Sequence, residues 1–266
     1  MNNPVISVQN VDAHYGERQV LFDVNLDVMP GEIVVIMGGS GSGKSTLLKH
    51  LLGLQVPTSG SILVHGKSLH DVSKKELKQL RKKMGVAFQG GALLSSLTVA
   101  ENVSLPLEYN TDLDQNTIDI MVRLKLELMN LGGFGHLMPA ELSGGMLKRA
   151  GLARAVIMDP NVLFFDEPSA GLDPVTSVEL DELILKLRDA MNITMVIVTH
   201  ELDSAFKIAD RIMVLLDGKV VQVGTVEEIK RSDDERIQNL INRRPRSNQL
   251  HGDAYLQRLV NGEGEK

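Results

Sequence analysis

"GGSGSGKST", Gly38–Thr46, ends in a lysine and two hydroxyls and follows the apolar run "IVVIM", Ile33–Met37. Backbone N–H groups can surround an anion only where no Cβ intrudes, and glycine leaves that space. A helix starting at the loop adds unpaired donors and the positive end of its dipole. "TLLKHLLGL", Thr46–Leu54, has the apolar spacing of such a helix. The stretch fits G-x-x-x-x-G-K-[ST] in its required setting, strand before and helix after. Gly38, Gly39, Ser40, Gly41, Ser42, Gly43, Lys44, Ser45 and Thr46 are therefore expected to cradle a nucleoside triphosphate. Lys44 reaches the outer phosphates, and the Ser45 hydroxyl is a ligand for Mg2+.

Outward from the loop, apolar runs alternate with helical patterns. "VLFFDE", Val162–Glu167, and "TMVIVTH", Thr194–His200, are short apolar runs with polar ends, and "TSVELDELILKLRDAM", Thr176–Met191, between them reads as an amphipathic helix. Runs apolar throughout and linked by helices predict a parallel sheet covered on both faces, with functional groups at the carboxyl ends of its strands. "RIMVLLDGKVVQVG", Arg211–Gly224, predicts a hairpin turning at Asp217-Gly218. From about Gln89 to Pro160 no buried strand is expected. There "NTIDIMVRLKLELMNL" carries Ile118, Met121, Val122, Lys125, Leu128 and Met129 near helical spacing, and "GGMLKRAGLARAVIM" is a second helix. The organisation expected is an α/β core over 1–88 and 161–224, a helical subdomain over 89–160, and closing helices with a tail over 225–266.

The 266 residues carry a net charge of −6, which argues against a nucleic-acid-binding surface. There is no cysteine, hence no disulfide framework and no thiolate chemistry. "MNNPVISVQN" lacks a basic start followed by an apolar stretch, and no apolar run approaches the ~20 residues that cross a bilayer. The expectation is a cytoplasmic protein whose membrane role, if any, runs through a partner.

In "VLFFDEPSAGLDP", Val162–Pro174, Asp166 closes a strand, where its carboxylate can orient Mg2+. Glu167 follows and can polarise a water for attack on the γ-phosphorus. The same pair could simply cap a helix. His200 ends another strand and is expected on the same sheet edge, although a single histidine near a core is more often structural. "LSGGM", Leu142–Met146, opens a helix with a hydroxyl and two glycines, a second anion-cradling helix start.

With these motifs in this order, residues 5 to 230 resemble the nucleotide-binding subunits of ATP-binding-cassette (ABC) transporters. The resemblance implies a RecA-like parallel-sheet core with an antiparallel β part and an inserted helical subdomain, the ABC cassette form of the P-loop NTPase fold. It implies that Tyr15, in "VDAHYGERQVL", stacks on adenine. Gln89, in "VAFQGGALL", would meet Mg2+ together with Ser45 and Asp166. Glu167 would be the general base and His200 a γ-phosphate contact. Leu142, Ser143, Gly144, Gly145 and Met146 form the signature that closes over the other subunit's ATP, and Asp173 communicates between subunits. A chain with one phosphate loop and one signature then implies a head-to-tail homodimer around two ATP with Mg2+, driving permease subunits in the membrane. The region "GGALLSSLTVAENV", Gly90–Val103, is where the permease would be held.

Two departures from the commonest pattern narrow the likeness: Met146 stands where glutamine is usual, and Gly90-Gly91-Ala92-Leu93 replaces a proline-containing stretch. With "HLMP" and "RAVIMDPNVLFFDEPSAGLDP" they resemble the ATPases of the Mla phospholipid transport system at the inner membrane of Gram-negative bacteria. That likeness implies a place on the cytoplasmic face, a part in outer-membrane lipid asymmetry, a small STAS-fold regulatory subunit and a lipid-carrier subunit. The ATPase of a small-solute importer and a soluble cassette ATPase remain the alternatives.

In the tail, "TVEEI" and "SDDERIQNLI" each place a hydroxyl three residues before a glutamate, predicting two capping boxes at Thr225 and Ser232. "NRRPRSNQLHG" reads as a polar linker. "DAYLQRLV" puts Tyr255, Leu256, Leu259 and Val260 on one helical face, either solvated or docked on a second subunit.

Overall fold

The computed structural model describes residues 3–244. In chain order it has β1 (Ile6–Tyr15), β2 (Arg18–Val28), β3 (Ile33–Met37), α1 (Lys44–Leu51), β4 (Ser59–Val64), β5 (Lys67–Ser68), α2 (Lys74–Arg81) and β6 (Met84–Ala87). After these come α3 (Val99–Asn110), α4 (Gln115–Leu128), α5 (Gly144–Val156), β7 (Val162–Asp166), α6 (Pro174–Met191) and β8 (Thr194–Thr199). The described chain closes with α7 (Leu202–Ile208), β9 (Arg211–Leu216), β10 (Lys219–Gly224), α8 (Val226–Lys230) and α9 (Glu235–Ile241). Among the described residues no strand lies between Ala87 and Val162, and no helix is long and apolar enough to cross a membrane.

One sheet has the order β10-β9-β3-β8-β7-β6. Its five strands from β9 to β6 are parallel, and β10 adds antiparallel through the hairpin. Successive side chains of a strand point to opposite faces, and in this sheet both faces are buried. Ile33, Val35 and Met37 of β3 enter one core, with Leu163, Phe165, Met195 and Ile197 and the helices α3 to α7. Val34 and Ile36 enter the other, with Phe164, Val196, Val198 and helix α1, against the second sheet. That second sheet, of order β2-β1-β4-β5, is antiparallel. Continuous apolar runs result in β3, β7 and β8, which are buried on both faces along nearly their whole length.

The two sheets meet at the hairpin turn. Gly218 accepts a hydrogen bond from Phe22 N–H of β2 at 2.9 Å and donates its own N–H to the Ser42 carbonyl at 3.0 Å. The turn thus ties the antiparallel sheet to the loop that precedes α1.

Two local expectations need correction. In α4 the buried face is Ile118, Val122 and Leu126, continued by Met129. Leu128 is 40 % exposed, and Lys125 leaves the face to pair with Asp159 at 2.5 Å. Steps of four residues keep one side of a 3.6-residue helix, and Leu126 continues that row where Lys125 and Leu128 do not. The capping box at Thr225 forms, with Glu228 reaching back to it, but the one at Ser232 does not. Asp234 caps α9, accepting from Arg236 N–H at 2.8 Å, while the Ser232 hydroxyl donates to Gln222. An aspartate directly before the helix outcompetes a serine placed two residues too early. The linker beyond Arg244 and the face of Tyr255, Leu256, Leu259 and Val260 lie outside the described residues.

Phe164 is fully buried between the sheets. Phe164→Ala is expected to lower unfolding stability by about 3–5 kcal/mol, read as an earlier midpoint in urea with an unchanged slope. A loss below about 1 kcal/mol would show that this core does not hold the sheets together.

Candidate functional site

β3 delivers the chain into the glycine loop at Gly38, and α1 begins at Lys44. Gly38 has no room for a side chain: a Cβ there would lie 2.0 Å from the Leu215 carbonyl of β9. Gly43, the N-cap of α1, has φ of 101°, a region that residues with a Cβ rarely enter. The loop is therefore seated on β9 and the hairpin turn. The Ser42 hydroxyl is buried with no hydrogen-bond partner among the described residues. Lys44 folds back, its Nζ donating to the Gly38 carbonyl at 2.8 Å and to Gly39 at 3.0 Å. Burial pushes the Lys44 ammonium pKa down, opposed by the negative charges of Glu167 and Asp166. A buried cation held by carbonyls alone is a strong anion acceptor.

A cleft of about 330 Å3 lies against the loop, lined by Tyr15, Arg18, Val20 and Gly41 to Thr46. Tyr15 is 45 % exposed at its rim, and its hydroxyl donates to Gln55 Oε1 at 2.8 Å. The aromatic face is thus open to a flat ligand while the ring's edge is anchored.

Asp166 and Glu167 stand at the carboxyl end of β7, and His200 directly follows β8. β8 lies between β7 and β3 in the sheet, so all three groups share one sheet edge with Lys44. Burial, and then the neighbouring Glu167 charge, pushes the Asp166 pKa up against the pull of Lys44 and Lys49. Glu167 has φ of 50°, and its N–H donates to the Val198 carbonyl at 2.8 Å. Its carboxylate meets His200 Nδ1 at 2.9 Å and the His200 backbone N–H at 3.2 Å.

The cation site implied by the sequence would draw on Ser45, Asp166 and Gln89. No cluster of three His, Cys, Asp or Glu side chains suited to a metal occurs among the described residues. A hydroxyl, a carboxylate and an amide are all hard oxygen donors. They fit Mg2+, which keeps waters and takes substrate phosphates to complete its octahedron. Asp166, whose charge is disfavoured by burial, gains most from a nearby cation.

"LSGGM" opens α5 as its pattern predicts: Ser143 is the N-cap, and its Oγ accepts from Met146 N–H at 3.3 Å. Ser143 and Gly144 are exposed. A Cβ on Gly145 would lie 2.7 Å from Thr176 Cγ2, so the start of α5 packs on the first turn of α6. Asp173 caps that turn, accepting from Val175 and Thr176 N–H and from the Thr176 hydroxyl. The hydroxyl bond first, then the backbone bonds, hold the Asp173 pKa below the usual carboxylate range. The signature and phosphate loop belong to separate helix starts, α5 and α1.

Gln89 is exposed in the turn after β6. The segment behind it is fixed to α5: a Cβ on Gly151 would lie 2.7 Å from Gly91 Cα, and Arg154 donates to the Gly91 and Ala92 carbonyls at 3.0 and 2.9 Å. Arg18, Gln55, Lys148 and Arg154 escape the motif patterns. Gln55, Lys148 and Arg154 each act through a hydrogen bond to an atom far away in sequence, and Arg18 lines the cleft beside the phosphate loop. Only the cation-rich "KRAGLARA" of α5 hints at two of them.

A family model described as ABC transporter matches residues 21–170. The Haemophilus influenzae protein "Intermembrane phospholipid transport system ATP-binding protein MlaF" is 41 % identical over 237 residues, 89 % of this chain and 90 % of that one. "Probable ribonucleotide transport ATP-binding protein mkl" of Mycobacterium leprae is 39 % identical over 90 % of this chain and 69 % of its own. Among solved structures, an ATP-binding cassette in a dimeric post-hydrolysis state bound to ADP and Pi superposes with a TM-score of 0.76. It is 33 % identical, covering 83 % of this chain and 98 % of that one. CbiO1 from Clostridium perfringens, part of the ABC transporter complex CbiONQ, gives a TM-score of 0.79 at 30 % identity over 91 % and 96 %.

Lys44→Ala should leave the fold intact, since the ammonium touches only two loop carbonyls. Its affinity for a nucleoside triphosphate should fall at least about tenfold, the order of one charge-assisted phosphate contact. Titration with a fluorescent triphosphate reads this directly, and unchanged affinity would remove the loop from the binding site.

Proposed function

The chain belongs to the ABC transporter family, and from that premise we propose that it is the ATP-hydrolysing subunit of a phospholipid transporter. The observation that carries the chemistry is the convergence of Lys44, Asp166, Glu167 and His200 on the carboxyl ends of the neighbouring strands β3, β7 and β8. In this reading Gly38–Thr46 wraps the phosphates and Lys44 turns from its own carbonyls to the β- and γ-phosphates. Tyr15 stacks on adenine at the mouth of the cleft. Ser45, Asp166 and Gln89 would hold Mg2+, which would supply positive charge against that of the phosphates.

Glu167 accepts the proton of the attacking water as its oxygen bonds to the γ-phosphorus and the bond to ADP breaks. His200, already against the Glu167 carboxylate, orients it and contacts the γ-phosphate. Leu142 to Met146, with Ser143 and Gly144 exposed at the start of α5, would close over the ATP of a second copy. Asp173, at the surface beside it, would carry the state of one site to the other. Two copies then form a head-to-tail homodimer that ATP closes and hydrolysis reopens. The α/β core over 1–88 and 161–224 would hold the nucleotide, and the helical part over 89–160 would pass the motion to the permease.

The cargo assignment rests on the relative from Haemophilus influenzae, which aligns over nine-tenths of both chains. With that cargo the Mla resemblance implies permease subunits, a STAS-fold regulator, a lipid-carrier subunit and a peripheral place on the cytoplasmic face of the inner membrane, and these belong to the proposal. The mycobacterial relative, named for ribonucleotides, supports a different cargo. Purifying the chain with its membrane partners and analysing the bound small molecules separates them: glycerophospholipid supports the first, ribonucleotide beyond ATP and ADP the second.

Glu167→Gln should bind ATP as the wild type does and lose about 10²–10⁴-fold or more in turnover. Turnover within threefold of wild type would reassign the base. Mixing Lys44→Ala with Ser143→Arg chains should restore part of the activity that each lacks alone. A mixed dimer can gather both lesions in one site and leave the other whole. No recovery in demonstrated heterodimers would count against the head-to-tail arrangement.

A further inference from the structure

Lys148 lies on α5, five residues past Ser143, and its Nζ donates to the Pro168 carbonyl at 2.5 Å and to the Ala170 carbonyl at 2.6 Å. Both carbonyls belong to the turn that directly follows Glu167. The glutamate itself sits at φ of 50°, in the left-handed region, which a residue with a side chain keeps only where its surroundings hold it. Two attachments do so here. From the sheet, the Val198 carbonyl takes the Glu167 N–H at 2.8 Å. From the helix, Lys148 gathers the next turn.

The ammonium is half-buried, and burial pushes its pKa down while the Glu167 charge opposes that. A cation taken out of water must be satisfied, and the hydrogen bonds recorded for this one go to main-chain carbonyls. Its arrangement is that of a strut: a flexible stem from one helix fixes the main chain of another segment.

We propose that Lys148 is a positioning residue for ATP hydrolysis, a strut that holds the Glu167 turn against the helix bearing the signature. The proposal rests on the assignment of Glu167 as the general base. The strut has a consequence for coupling. Five residues of helix rise about 7 Å, so the point where α5 would meet the partner's nucleotide lies less than two turns from its grip on this chain's own base. A displacement of α5 on dimer closure reaches the Glu167 carboxylate without passing through the phosphate loop. Arg154, two turns further on, grips the carbonyls behind Gln89 in the same manner.

The test is steady-state hydrolysis by the full-length chain with its membrane partners. Lys148→Met keeps the unbranched stem and removes the donors. Its kcat should fall tenfold or more while the KM for ATP stays within threefold, because the cleft and phosphate loop are untouched. Lys148→Arg, which keeps charged donors, should recover part of the loss. Added to Glu167→Gln, Lys148→Met should cost little more, since the group it positions is already lost. A kcat within twofold of wild type, a raised KM with kcat retained, or an undiminished further loss on Glu167→Gln would each overturn the proposal. Should Lys148→Met fail to fold, Lys148→Gln, with a shorter neutral donor, takes its place under the same criteria. Wild-type turnover by Glu167→Gln would overturn the base assignment and the proposal together. An unaffected Lys148→Met beside an inactive Glu167→Gln overturns the proposal alone.

Discussion

The approach of Gly38 to β9 is the constraint on which the site depends. With 2.0 Å between a notional Cβ and the Leu215 carbonyl, the chain can leave β3 on this path only as glycine. That path brings Ser42 under the hairpin turn, where the Gly218 N–H donates to its carbonyl, and leads into α1 at Lys44. The hairpin in turn is held to β2 through Phe22. Phosphate loop, parallel sheet and antiparallel sheet are thus locked together at one point, and the cleft beside Tyr15, Arg18 and Val20 is the hollow that remains in front of it.

The second organising element is α5. Its N-terminus presents Ser143 to the outside, its Gly151 lets Gly91 approach, and two of its cations reach loops at the sheet edge. Lys148 takes the turn after Glu167, and Arg154 takes the loop after Gln89. The two loops that would face the γ-phosphate are therefore both attached to the helix whose start would serve a neighbouring subunit. Such attachment is what a machine with shared sites requires, because a site completed by a partner must report that completion to its own catalytic groups.

Much of this was legible in the chain itself. A strand buried on both faces leaves a continuous apolar run, so β3, β7, β8 and the β9–β10 hairpin stand out, and the polar residues at their ends mark the working edge. "MGVA" of β6 is short, half-buried and contains a glycine, which weakens the signal. The long strands β1 and β2 alternate, but their irregular registers at Val8 to His14 break the period. In α4 the row through Leu126 outweighs the one through Lys125 and Leu128 because a lysine stem can leave the face for Asp159. The contacts of Lys148, Arg154 and Gln55 are spelled by no local motif, and only the cations of "KRAGLARA" hint at the first two. They join residues 20 to 63 positions apart through main-chain carbonyls, or 40 apart in the case of Tyr15 and Gln55, and only the folded chain brings those together.

The central claim is that one chain holds half of each of two nucleotide sites. Sedimentation of the purified chain with Mg2+, ATP and vanadate, with bound nucleotide counted in each species, tests it most directly. The account predicts a dimer carrying two trapped nucleotides, and no trapped nucleotide in the monomer. Nucleotide trapped one to one on a monomer would contradict it.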